Sequence, residues 1–270
     1  MKKQFPTPAP TSLYVELGAG LLTAEATDTA ETTVEVSGPR AEEFKVGRTG
    51  DKISVVAPHG RFFGRDAHTV RVIVPTGSEL ITKVGSADTV THGALGLVAL
   101  KTGSGDIELD QASGPVVIES GSGDIKGAEL AGEVRIKSGS GDIDLGVLHG
   151  KTGISTGSGD VVLGTVRART IIKTGSGDLK VGRAEAEVNL TTASGDLTIA
   201  AAPRGKVTAR NVSGDVRVGI PVGTPVWTDI NTVSGSLKNR LTSVGKPAEG
   251  QDYVELRATT VSGDVLLEHV

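Results

Sequence analysis

The sequence predicts an all-β fold, a single-stranded parallel β-helix (β-solenoid) built from 18-residue coils. A motif of the form Thr/Ser-Gly-Ser-Gly-Asp recurs, and the spacing between successive motif aspartates is 18 residues six times in a row. The residues on either side of each motif alternate between apolar and polar and are rich in β-branched side chains, which is typical of strands. A Gly-x-Gly in every repeat would cost an α-helix about 2 kcal/mol each time. Columns of like residues at one period indicate stacked coils.

The first element of each coil is a strand, and the second is a glycine-rich turn that carries the aspartate. We expect the aspartate to accept backbone N–H bonds in that turn, as Asx turns do, while glycine supplies positive φ. Weak cation binding along the column is the alternative. Later motifs lie at wider spacings, and Ser236 takes the aspartate's place in one of them. The predicted structural ladder comprises Asp88, Asp106, Asp124, Asp142, Asp160, Asp178, Asp196, Asp215 and Asp264.

Outward-facing columns alternate in charge. Lys101, Glu119 and Lys137 follow one another at the repeat period. Oppositely charged side chains directly across neighbouring strands stabilise a sheet by about 0.2–1 kcal/mol, and like charges destabilise it. The alternation therefore supports coil-on-coil stacking.

The chain divides into three predicted segments. Residues 1–10, with three prolines, are expected to form a flexible N-terminal arm. Residues 11–80 have strand-like patterns outside the 18-residue register and predict a degenerate β cap continuous with the solenoid. Residues 81–270 predict the regular solenoid, with an insertion at 238–252. Because the chain ends in a motif with no capping helix after it, we expect an open sheet edge there, which is a template for pairing.

The repeat and two N-terminal segments resemble one known family. Residues 14–20 (YVELGAG), residues 72–78 (VIVPTGS) and the repeated motif are similar to the bacterial putative-adhesin β-strand-repeat family, a domain of unknown function. The resemblance covers about residues 11–270. It implies a right-handed, single-stranded parallel β-helix of bacterial origin, and it supplies no catalytic or ligand residues to transfer.

The composition argues against several functional classes. The formal charge is −4 and no basic block occurs, which argues against nucleic acid as a partner. Cysteine is absent, so disulfides and thiolate chemistry are excluded. No apolar run approaches the roughly 20 residues that span a bilayer, which predicts no membrane insertion. The proline-rich start lacks the apolar segment of a signal peptide, which predicts a cytoplasmic protein or export by a non-standard route.

No catalytic, cofactor or metal site is predicted, because none of the motifs for such sites occurs in its required context. The function predicted is a non-enzymatic scaffold or interaction protein that binds an unknown protein partner or itself through the solenoid ends. A surface adhesin for protein or glycan is the first alternative, and a carbohydrate-active β-helix enzyme is the second. The residues expected to make contacts lie in loops and near the insertion: His59, Arg61, Phe62, Phe63, Arg65, Trp227, Lys238 and Arg240.

Overall fold

The protein is a parallel β-solenoid in the computed structural model, which describes residues 1–58 and 67–270. The predicted fold class is confirmed, whereas the right-handed sense stays a prediction. The described residues contain strands and one short 3₁₀ turn, and no helix among them is long and apolar enough to cross a membrane. The chain forms two compact units, Met1–Gly141 and Asp142–Val270.

The first unit contains an N-terminal cap and the first regular coils. A 3₁₀ turn at Ala41–Glu43 precedes β4. The strands are β1 (Lys2–Pro6), β2 (Ser12–Thr27), β3 (Glu31–Ser37), β4 (Lys45–Thr49), β5 (Lys52–Val56), β6 (Ala67–Pro75), β7 (Glu79–His92), β8 (Ala94–Leu95), β9 (Val98–Thr102), β10 (Ile107–Ala112), β11 (Val116–Ser120), β12 (Ile125–Leu130) and β13 (Val134–Ser138).

The cap combines parallel and antiparallel pairing. The long strand β2 lies parallel to β7 on one edge and parallel to β5 and β6 on the other. Beyond these strands the direction reverses, because β3 runs antiparallel to β6 and β4 runs antiparallel to β5. The cap therefore joins the first coils through β2, while its outer strands leave the solenoid pattern.

The segment at residues 1–10 is not the flexible arm expected from its prolines. Its residues Lys2–Pro6 form β1, which pairs antiparallel with β3. Lys2 Nζ lies 2.7 Å from Glu35 Oε1, and the Thr7 N–H donates to the Ala30 carbonyl oxygen at 2.8 Å. The expectation failed because β3 offers a free edge whose glutamate complements the N-terminal lysines, and nothing in residues 1–10 alone indicates that partner.

The second unit contains the coils of residues 142–270. Its strands are β14 (Ile143–Leu148), β15 (Thr152–Ser158), β16 (Val161–Val166), β17 (Thr170–Ser176), β18 (Leu179–Ala184), β19 (Val188–Ser194), β20 (Leu197–Ala201), β21 (Gly205–Arg210), β22 (Val216–Ile220), β23 (Val226–Ser234), β24 (Leu237–Asn239), β25 (Val254–Ser262) and β26 (Val265–His269).

Coil stacking follows the sequence period within each unit. In the first unit β11 pairs in parallel with β13 so that Ile118 lies beside Ile136. In the second unit β17 pairs with β19 so that Ile172 lies beside Leu190. These side chains are at most 1% exposed and form a narrow core. Lys101 Nζ contacts Glu119 Oε2 at 2.9 Å on the outside, as the alternating charges predict.

The last coils are stacked in a different order from the sequence. Strand β25 lies between β21 and β23, and β26 lies between β22 and β24. The C-terminal strands are thus interior, and residues 226–239 form the outermost coil. The open edge expected at the chain's end is therefore wrong in its position, because the chain passes through residues 240–253 and returns beneath the preceding coil.

The turns bring successive backbones so close that only glycine fits. An added Cβ at Gly177 would lie 2.2 Å from the Gly159 carbonyl oxygen, and φ there is +126°. The Ser/Thr column closes the same turns, for example through the Thr174 hydroxyl, which donates to the Ser176 carbonyl oxygen at 2.9 Å. The glycine column therefore permits the close approach of adjacent coils at their turns.

This close approach yields a stability prediction. We expect Gly177→Ala to lower the free energy of unfolding by about 2–4 kcal/mol, since it adds both a steric clash and backbone strain. The matched control is Gly153→Ala in β15, where an added Cβ meets nothing within 4 Å. It should leave stability unchanged or raise it by up to about 1 kcal/mol. Denaturant unfolding measures both, and equal effects would contradict the argument.

Candidate functional site

The aspartate column forms a hydrogen-bonded ladder within each unit. In seven pairs one carboxylate accepts the backbone N–H of the aspartate in the adjacent coil, rather than an N–H of its own turn as an Asx turn would require. The distances from the donor backbone nitrogen to the accepting Oδ1 are 2.8–2.9 Å. The donor–acceptor pairs are Asp106–Asp88, Asp124–Asp106, Asp160–Asp142, Asp178–Asp160, Asp196–Asp178, Asp215–Asp196 and Asp264–Asp215.

The ladder ends at the outermost coil. The Ser236 N–H donates to Asp264 Oδ1 at 2.8 Å, and Ser236 is the residue that replaces aspartate in its motif. In the last coil a carboxylate would have no further backbone N–H to accept. The ladder's geometry thus assigns these carboxylates a part in coil stacking. Among residues 1–58 and 67–270, no three acidic or histidine side chains cluster so as to hold a metal ion.

The outermost coil exposes residues that other coils bury. In β25, the inward-facing Leu256 and Ala258 are fully buried. Their neighbours in β23 are Thr228, which is exposed, and Ile230, which is only partly covered. Leu237 in β24 is 50% exposed. Residues 241–245 line a cleft together with Val226 and Thr228 and cover part of this end, and the rest of the end of the apolar core is accessible.

A cleft of about 410 Å³ lies beside the outermost coil. Trp227, Pro247 and Tyr253 line it, and both aromatic rings are about half exposed. The Arg257 guanidinium lies 5.6 Å from the centroid of the Trp227 ring and bonds Glu255 at 3.0 Å. A cation at this distance stabilises the ring's position by about 0.5–1 kcal/mol at an exposed site. We call this feature the aromatic cleft.

A second cleft shares Tyr253 with the aromatic cleft and is lined by charges. Its cations are paired in the structure: Arg204 Nη1 lies 3.5 Å from Asp252 Oδ2, and Lys206 Nζ lies 3.3 Å from Glu255 Oε1. The first bridge connects Arg204 to the segment that leads into β25, and the second connects Lys206 to β25 itself. They help to hold the start of β25 in place, and the lining of the cleft, with Glu185 as its third acid, carries one more acid than cations.

The predicted contact residues have different positions. Trp227 lines the aromatic cleft, whereas Lys238 and Arg240 bridge to the adjacent coil, at 2.9 Å from Asp264 and 4.0 Å from Glu268. The other five predictions lie outside the described residues: His59, Arg61, Phe62, Phe63 and Arg65.

Sequence reasoning missed the partners of Trp227. Tyr253 and Arg257 come within reach of Trp227 because β25 pairs with β23. The only signal in the sequence was that Trp227 and Tyr253 are two of just seven aromatic residues. Without the strand order, nothing places these two together.

The salt bridge between Lys238 and Asp264 at the outermost coil changes the pKa of Asp264. A hydrogen bond from Lys238, with a further one from the Ser236 backbone, lowers the pKa of Asp264 to about 2. The folded pKa is below the unfolded one. Asp264 therefore contributes stability that is present above its unfolded pKa and lost as the pH falls through about 2.

Comparison with known proteins finds one matching family and several similar solved structures. The family model described as Toastrack DUF4097 matches residues 13–268. A "putative lipid binding protein" from Parabacteroides distasonis is 15% identical with a TM-score of 0.50, and the match covers 100% of this chain and 96% of that one. A "putative adhesin" from the same species is 14% identical, with a TM-score of 0.42 and the same coverage. No curated protein matches the chain.

The aspartate ladder can be tested by removing one acceptor. Asp160→Ala deletes the oxygen that accepts the Asp178 N–H, so we expect a loss of about 1 kcal/mol in the free energy of unfolding. Asp160→Asn retains an acceptor at the same position and should change the free energy of unfolding by no more than a few tenths of the loss in Asp160→Ala. Denaturant unfolding of the two variants checks this, and a carboxylate-specific requirement would appear as equal losses.

The bridge at Asp264 gives a pH prediction. We expect Lys238→Ala to raise the pKa of Asp264 from about 2 towards its ordinary 3.8, without reaching it, because the Ser236 N–H bond remains. Carboxyl carbon NMR titration measures the value directly. Lys180→Ala, which removes a lysine 3.4 Å from Asp178, is the control and should leave the pKa of Asp264 unchanged. An unchanged pKa of Asp264 in Lys238→Ala would contradict the assignment of Lys238 as the main cause.

Proposed function

The chain belongs to the Toastrack DUF4097 family, and we propose that it is a non-enzymatic interaction scaffold that associates with a second copy of itself through its outermost coil. The observation that carries the proposal is the unpaired edge of β23. Within the part of the chain that the structure describes, β23 pairs with β25 alone. A nine-residue strand with one free edge is a template for another strand.

The free edge can be assigned residue by residue. The Val254 N–H donates to the Pro225 carbonyl oxygen at 3.0 Å. Because backbone groups in a parallel pair alternate in direction, the odd-numbered residues from 225 to 231 bond towards β25. The N–H and C=O groups of Thr228, Ile230 and Thr232 therefore point away from the solenoid, where a further strand would bind them.

The edge strands of the first unit show what a protected edge contains. Strand β1 is short and carries two lysines and a proline, and β4 carries Lys45 and Arg48. Lysine, proline and short length are the usual means of preventing edge-to-edge pairing. Strand β23 has nine residues, one charge at Asp229 and no proline. It lacks these protections, which supports a role in pairing.

The occupant proposed is a strand from an identical chain. Pairing two edges would satisfy the outward backbone groups of both and cover the exposed ends of both apolar cores. A soluble ligand could not satisfy a row of alternating N–H and C=O groups, whereas a strand does so by geometry. The predicted cytoplasmic location is part of the proposal.

Surface adhesion is a second candidate, and the aromatic cleft is the observation in its favour. Trp227 and Tyr253 present half-exposed rings beside Glu255 and Arg257, a combination of apolar faces and fixed polar groups that is usual in binding sites. Adhesion requires the protein outside the cell. Fractionation of the native host separates the candidates, because recovery at the cell surface favours adhesion and recovery in the cytoplasm excludes it.

Removing one edge donor tests self-association. Proline at Thr228 deletes an N–H that bonds nothing within the solenoid, so Thr228→Pro should fold normally while its edge no longer accepts a partner. Thr228→Ala keeps the N–H and is the matched control. In chromatography with light scattering over a concentration series, we expect the wild type and Thr228→Ala to form dimers at high micromolar concentration and Thr228→Pro to remain monomeric.

Two outcomes would contradict the proposal. A wild type that stays monomeric throughout the series has no self-association to explain. Dimers of Thr228→Pro with unchanged affinity would place the interface elsewhere. Circular dichroism and thermal unfolding of the three proteins check that the proline variant is folded.

A further inference from the structure

We infer that two copies join through β23 in antiparallel orientation, with Ile230 of each copy on the two-fold axis. The inference rests on the proposed function and specifies its geometry. In this register Trp227 of one copy lies opposite Val233 of the second copy, Thr228 opposite Thr232, and Asp229 opposite Asn231. The partner is thus the same strand, and the strand's own sequence selects the alignment.

The direction of the backbone groups limits the registers available. Thr228, Ile230 and Thr232 present their N–H and C=O groups at the free edge, whereas the intervening residues are bonded to β25. An antiparallel pair forms its bonds only where edge-directed residues meet edge-directed residues. Shifts of the pairing by a single residue are therefore excluded. Neighbouring allowed registers differ by two residues in the pairing, which moves the residue on the two-fold axis by one.

Side-chain pairing separates the remaining registers. With Asp229 on the axis, the two carboxylates would face each other and Trp227 would face Asn231. Like charges directly opposite are destabilising. With Asn231 on the axis, Asp229 would face Val233, which would place a charge against an apolar side chain. Only the register centred on Ile230 pairs aspartate with an amide and the apolar residues with each other.

The exposure of the outward face agrees with this register. Trp227 is 50% exposed and Val233 is 82% exposed in the single chain. They lie symmetrically about Ile230. The two-fold axis therefore places Trp227 of each copy opposite Val233 of the other copy, which gives two such pairs. Aromatic–β-branched pairs across antiparallel strands contribute roughly 0.2–1 kcal/mol each. The exposed apolar residues of β23 are thus explained by one contact.

The inward face agrees as well. Thr228 and Thr232 would face each other beside the paired Ile230 residues, and threonine pairs are favourable neighbours across strands. Leu256 and Ala258 of each copy lie directly beneath this row. Joining the copies would therefore extend one apolar core into the other. An isologous contact of this kind closes after two copies, which predicts dimers and not filaments.

The absence of cysteine from the chain permits a direct test of the register. Asp229→Cys and Asn231→Cys are prepared separately, with tags of different size, and then mixed and oxidised. In the inferred register residues 229 and 231 of opposite copies form a non-hydrogen-bonded pair with Cα atoms about 4.5 Å apart, which a disulfide spans. Identical cysteines would lie diagonally at about 7–8 Å, too far for a disulfide without backbone movement.

We expect the disulfide between the two different variants to predominate well beyond random pairing, with each variant alone giving little product. Predominant linkage of Asp229→Cys to itself, or of Asn231→Cys to itself, would overturn the inference, because each reports one of the neighbouring registers. Dimers by light scattering with no mixed disulfide would also overturn it while leaving self-association intact. A monomeric wild type would instead defeat the proposed function. Thermal unfolding of each variant establishes that it is folded.

Discussion

The close approach of successive turns is the constraint on which the solenoid depends. At Gly105 an added Cβ would lie 1.9 Å from the Ala87 carbonyl oxygen, and at Gly195 it would lie 2.1 Å from that of Gly177. Such contacts admit no side chain, so the coils from Gly105 onward place a glycine directly against the backbone of an adjacent coil. The ladder of aspartate side chains then bonds adjacent coils at the next position. Together they fix the register before any core residue is considered.

This constraint explains which parts of the fold the sequence predicts. Turn, ladder and core positions repeat at the same period, so the strand assignment, the buried columns and pairs such as Lys101–Glu119 follow from the spacing alone. The pairing of β1 with β3 does not follow, because it involves no repeat and depends on a partner edge. The candidate site was predicted only in part for the same reason: Trp227 was noted, but Tyr253 and Arg257 reach it through an order of strands that the spacing does not encode.

The order of the last coils nevertheless has a trace in the sequence. The motif at Ser236 lacks the carboxylate that passes a bond to the next coil, whereas Asp264, later in the chain, keeps it. A residue that ends a ladder belongs at the end of the stack. Reading the substitution in this way would have placed residues 226–239 outermost, and it shows that departures from a repeat carry as much structural information as the repeat.

The outermost coil is the part of the second unit that the fold needs least. Strands β21 and β22 already pair with β25 and β26, so a chain that passed directly from residue 220 to residue 254 would still complete a coil, with β25 and β26 as its edge strands. Residues 221–253 instead add a coil that is held along one edge and that must be laid over strands formed by later residues. Such an arrangement lengthens the loop that must close during folding, which carries an entropic cost. A coil that contributes little core and exposes both an unpaired edge and Trp227 has little structural role of its own, which is the reason for placing the proposed interaction at this end.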